Sequence, residues 1–263
     1  MSGYILGILI SFLFIKINKK LFIHKMQFLF YKLFNKKTIY ELIMLLYIVI
    51  ISIIISLICI KVNSITSKSN ILLIKNFNFY NFFTIFILLN FSSIEKLTLK
   101  SNNENCHKFI SLISRSLVLG FMAPLLYIGI LNNLMALIIC FILSMNIKKT
   151  KYIKYIYNFL CILPSLITSI FLMFILILTK KINQLNFKNM FFKNLLIDPL
   201  INVEIIMITL QGTFLVIDYK EVSSCKLIKY GTNKNIEKND LYWLLTKSYI
   251  VCIISFIFFL IIK

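Results

Sequence analysis

The run from Ile39 to Ile60 is 22 residues of nearly unbroken apolar sequence. A helix of that length spans the roughly 30 Å hydrocarbon layer of a bilayer. Seven more apolar runs fall near 3–15, 77–94, 109–130, 131–146, 155–179, 195–217 and 242–262. They are continuous rather than alternating, which makes the strands of a membrane β-barrel a poor reading. The chain is 60% hydrophobic with a mean hydropathy of +0.90, against the 45–50% apolar content of soluble domains. Its longest polar stretch, about 25 residues, is too short for a separate soluble domain. The reading is an all-α polytopic integral membrane protein. It has one domain over 1–263 and about seven to eight transmembrane helices.

The stretch 16–37, KINKKLFIHKMQFLFYKLFNKK, differs from the rest. Its apolar residues recur with helical period between seven lysines. This predicts an amphipathic interfacial helix on an anionic membrane surface, or a basic segment packed on a partner subunit.

Lys and Arg number 29 against nine carboxylates, and all but Arg115 are lysine. Ile, Phe, Asn, Lys and Tyr are abundant, whereas six Gly, three Pro and one Trp are few. The abundant residues have AT-rich codons, which points to an AT-rich organellar genome. The net charge of +20 lies in short loops between apolar runs, where lysine sets topology and meets lipid headgroups. Nucleic acid is not expected as a partner. The start, MSGYILGILISFLF, is apolar at once and predicts no cleavable presequence.

The run 109–146 admits one long helix or a hairpin turning near Gly129 and Asn132-Asn133. The hairpin puts 19 lysines on one side and eight on the other, so the positive-inside rule favours it. The lysine-rich loops then face the matrix of a mitochondrion, across its inner membrane.

Four polar residues carry the functional question. Glu204, Gln211 and Asp218 are spaced seven and seven within 201–224. On a continuous helix they share one stripe, since seven residues return to within about 20°. Asp198 and Pro199 suit that helix's start. Arg115 is the expected counterpart, because a guanidinium matches a carboxylate in a low-dielectric site. The network is either a proton path or quinone-site element, or glue between helices. Lys247 is expected to reach the interface. Two histidines, His24 and His107, are too few for a bis-histidine diheme core, and no metal or directly bound cofactor is expected. The six cysteines are scattered and read as small buried residues.

Several stretches resemble subunit 1 of NADH dehydrogenase (complex I). KLFNKK at 32–37 looks like the KLFTKE that follows that family's first span. SNNENCHKFISLISRS at 101–116 is similar to its loop-to-helix stretch ending in Leu-Arg-Ser, and NVE at 202–204 to its Asn-Val-Glu-Tyr. DY at 218–219 and WLLTK at 243–247 fall near its Glu-Tyr and its Trp-x-x-x-Lys. The family's ETNRAPFD loop reads LTKKINQLNFK at 178–188, and GFMAPLL replaces the Ile-Ser-Tyr-Glu after the arginine. The resemblance implies eight crossings, a role in quinone and proton coupling, and ubiquinone at a shared site.

A second, local resemblance is to subunit a of ATP synthase, through EIIMITLQGTFLVI at 204–217 and ISLISRS at 110–116. It implies a proton channel with Arg115 facing a rotor carboxylate and Gln211 beside it. The reading left open beside both is a lineage-specific structural subunit of a respiratory complex. On every reading the partners are other subunits of such a complex and membrane lipids such as cardiolipin.

Overall fold

The computed structural model describes residues 2–13, 21–33, 37–68, 77–90, 106–145, 152–180, 198–211, 215–217, 228–230 and 238–263. Its helices are α1 (Ser2–Leu13), α2 (Leu21–Leu33), α3 (Lys37–Ser67), α4 (Phe79–Leu88) and α5 (Cys106–Leu117). A π turn (Val118–Met122) joins α5 to α6 (Ala123–Ile130), followed by α7 (Asn133–Leu143), α8 (Tyr152–Leu178), α9 (Leu200–Gln211) and α10 (Lys238–Ile262). Strands β1 (Leu215–Ile217) and β2 (Ile228–Tyr230) form an antiparallel ribbon with Val216 opposite Lys229. The fold is otherwise helical among the described residues.

Among the described residues, four helical segments are long and apolar enough to cross a membrane: Ile39–Ser67, Ile110–Ile130, Tyr152–Leu178 and Trp243–Ile262. This is a membrane-associated protein. The expected seven to eight spans are not reached among the described residues. α1, α4 and α7 are apolar, but they have 12, 10 and 11 residues, or about 15–18 Å at 1.5 Å per residue. The run 195–217 does not form one helix either. α9 stops at Gln211 and the chain is extended by Leu215. Val216 and Ile217 are β-branched and favour strands.

The expected hairpin in 109–146 is present. Leu131 is extended, and the Asn132 side chain caps α7 by accepting the Met135 N–H at 2.9 Å. Within the amphipathic segment 16–37, residues 21–33 form α2 and Lys37 begins α3, while 16–20 and 34–36 lie outside the described residues.

The core lies around α5–π–α6. Within its span 78% is buried, whereas the spans of α3 and α10 are 28% buried and form the rim. α7 packs on α6 and α3, and α8 and α5 both pack on α9. α1 lies along α4. Gly3 and Gly7 permit that close approach: a Cβ on Gly3 would collide with the Asn78 carbonyl, and one on Gly7 would sit 2.9 Å from the Phe82 carbonyl oxygen. With buried Ser11 they make a stripe of small residues at four-residue spacing, the pattern that lets membrane helices approach closely.

All three prolines have a structural role. Pro199 lies between Asp198 and α9, where its missing N–H costs little. Pro124 and Pro164 are within helices, so each deprives a carbonyl four residues earlier of its donor. The Gly120 carbonyl instead accepts the Asn90 N–H at 2.9 Å. The Leu160 carbonyl accepts the Tyr127 hydroxyl. Each repair ties two segments together.

Candidate functional site

α5, α8 and α9 meet at a cluster of polar groups. Asp198 begins α9: its Oδ1 accepts the Leu200 N–H at 3.2 Å, and its carbonyl accepts the Ile201 N–H at 3.1 Å. This agrees with the helix start expected from the sequence.

Six residues further along, Glu204 projects toward α5. The Ser111 hydroxyl donates to its Oε1 at 2.7 Å. Arg115, the expected counterpart, lies one turn beyond Ser111 and is exposed. No ion pair joins it to Glu204 among the described residues. Ser111 faces Glu204 directly, whereas Arg115 keeps its charge toward the outside. Its field still reaches Glu204, Asp198, Tyr157 and Cys161.

α9 has 12 residues and is not one of the helices long enough to cross. Burial raises the Glu204 carboxyl above its ordinary range; the Ser111 hydrogen bond and the Arg115 charge pull it back, and Asp198 pushes it up. Asp198 is also raised by burial, against the Leu200 N–H and the charges of Arg115 and Lys154. Tyr157 is buried on the α8 side of the cluster, with Cys161 one turn on. On α5, the Ser114 hydroxyl is buried without a hydrogen-bond partner.

The helix expected to carry the heptad stripe on to Asp218 is interrupted by β1 (Leu215–Ile217). Gln211 ends α9, so no helix carries the stripe on to Asp218. The Gln211 side chain and Asp218 lie outside the described residues. Lys247 sits over the Trp243 ring at 5.1 Å, a cation–π contact one turn along α10. Cys59, Cys140, Cys161 and Cys252 are buried and none of them is in a disulfide, as expected for small packing residues. Among the described residues no group of His, Cys, Asp and Glu could hold a metal ion; His24 is exposed on α2, and the His107 side chain lies outside them.

Two polar connections were not singled out from the sequence. Glu41 is buried on α3, and its Oε2 accepts the Tyr152 N–H at 2.8 Å and the Ile153 N–H at 3.0 Å. A carboxylate from one helix thus caps the start of another, where unpaired N–H groups and the helix dipole favour an anion. The signal was the sole acid in the run 39–60. The second connection joins three helices: Tyr4 on α1 donates to Asn133 Oδ1 at 2.8 Å, and Asn133 Nδ2 donates to Asn81 Oδ1 at 2.8 Å. Asn-rich loop sequence hid it, because asparagine there reads as turn chemistry.

Chemically, the α5–α9 contact can hold two helices in register. It can also hold or release a proton at Glu204. Comparison with protein-family models, with curated proteins and with solved structures gives no match to this chain.

Proposed function

We propose that this chain is a mitochondrially encoded, multi-span subunit of an inner-membrane respiratory complex, and that carboxylates bonded between its helices organise them. The observation carrying the helix-organising role is that Glu41 and Glu204 each accept from a donor on a different helix. The outward faces of α3 and α10, apolar and largely unburied within the chain, suit a protein surrounded by lipid and neighbouring subunits. The preference for lysine over arginine and the AT-rich residue usage support an organellar gene.

Native-gel separation of solubilised organelle membranes, with mass spectrometry of each band, tests the assignment. Co-migration with a respiratory complex is expected. Recovery only as a free chain would overturn it. The band also separates the resemblances: NADH dehydrogenase activity favours the complex I subunit 1 reading, and an F-type ATPase favours the subunit a reading.

A proton-path role is the second reading. It is favoured by the partly open position of Glu204, by the exposed Arg115 one turn beyond its partner Ser111, and by burial raising the Glu204 carboxyl. A Glu204→Gln chain that assembles but loses proton-coupled activity would select it. Full activity in that variant would leave the helix-organising role.

A further inference from the structure

Helix α2 is two-sided in a way that its sequence pattern alone does not settle. Its inward side is fixed to α3. Ile23 and Gln27 are buried, Gln27 hydrogen-bonds Tyr40, the Phe30 ring meets Tyr47 edge-on at 5.4 Å, and Tyr31 meets Tyr40 at 5.6 Å. These contacts leave the opposite side outward. There Lys25 and Lys32, seven residues apart, lie within about 20° of each other. Phe28 flanks them on one side and Leu29 and Leu33 on the other; Phe28 is 68% exposed and Leu33 70%.

This surface combines two demands. Exposed large apolar side chains gain by leaving water, and the ammonium groups gain beside anions. An anionic phospholipid leaflet meets both at one depth. The position agrees. α2 is tethered at Tyr40 and Tyr47, where the outward aliphatic face of α3 begins: Leu42, Leu46, Ile50, Ile54, Leu57 and Ile60 are all exposed. From Leu42 to Ile60 that face runs about 27 Å, close to a hydrocarbon layer. An acidic protein partner would match the lysines, but it would not explain why the patch adjoins a bilayer-length aliphatic band.

We propose that the outward face of α2 docks on an anionic phospholipid leaflet, with Lys25 and Lys32 at the phosphates and Phe28, Leu29 and Leu33 at the acyl boundary. The proposal holds whichever complex the chain joins. The test uses the full chain with its single tryptophan removed (Trp243→Phe) and a reporter added on the exposed face (Phe28→Trp, and separately Leu33→Trp). Each chain is reconstituted into phosphatidylcholine vesicles with brominated acyl chains, with or without phosphatidylglycerol. The expected result is blue-shifted, quenched emission that strengthens with phosphatidylglycerol. It should fall back to the phosphatidylcholine level in the Lys25→Gln/Lys32→Gln chain. Water-like, unquenched emission at both positions in both vesicles would overturn the proposal and point to a protein partner. Equal quenching in the two lipids would overturn headgroup recognition.

Discussion

Tyr127 donates its hydroxyl to the carbonyl of Leu160, the acceptor that Pro164 leaves without a helical N–H. A defect in one helix is therefore satisfied by a side chain from another, and α6 and α8 are held in register. Tyr127→Phe should cost about 1–3 kcal/mol by leaving a carbonyl unsatisfied. Pro164→Ala restores an N–H at that place. The Tyr127→Phe/Pro164→Ala chain should therefore lose less than Tyr127→Phe alone. A double-mutant cycle of unfolding in detergent measures this coupling, and additive losses would show that the carbonyl is satisfied another way.

Glu41 is the cap of α8 although it belongs to α3. Glu41→Ala removes the acceptor from two N–H groups and should cost about 1–2 kcal/mol. Glu41→Gln keeps an acceptor oxygen and should cost less. Thermal unfolding followed by circular dichroism ranks the two, and an equal loss would assign the effect to packing alone.

Gly7 seats α1 against α4: a Cβ there would lie 2.4 Å from Ile85 Cγ2 and 2.9 Å from the Phe82 carbonyl oxygen. Gly7→Ala should therefore destabilise the α1–α4 pair, although alanine is the better helix former. Hydrogen exchange should show faster opening of α1 with little change in α8. Unchanged exchange in α1 would mean that the two helices can separate without cost.

The Glu204 and Asp198 carboxyls are both raised by burial, from ordinary values of 4.5 and 3.8. A raised carboxyl binds its proton more tightly in the folded chain than in the unfolded one. Its contribution is complete below the ordinary value and is lost as pH rises through the folded value. Stability should therefore decline as pH rises above about 4. Glu204→Gln should flatten the decline. Chemical unfolding in detergent across that range tests the sign; a rise in stability over the same interval would contradict the burial of these groups.

The sequence by itself determined the solvent. Long continuous apolar runs such as 39–60 and 242–262 suit a membrane, and both lie within helices α3 and α10, which are long enough to cross. It also determined the local starts: Asp198 before α9, and the turn at Asn132-Asn133. Those signals are short-range, set by caps and by backbone donors. Hydropathy did not separate a spanning helix from a 10–12 residue one, because burial among helices and burial in lipid demand the same apolar side chains. Run 77–94 therefore read as a span although α4 ends at Leu88.

Only the tertiary structure decided which polar groups meet. A seven-residue repeat places residues on one face only while the helix continues, and α9 stops at Gln211. Glu204 consequently finds Ser111 rather than Arg115, Glu41 caps a helix more than a hundred residues away, and Tyr127 completes the backbone that Pro164 interrupts. A hydrogen bond requires atoms within about 3 Å, and that distance is set by how whole helices pack.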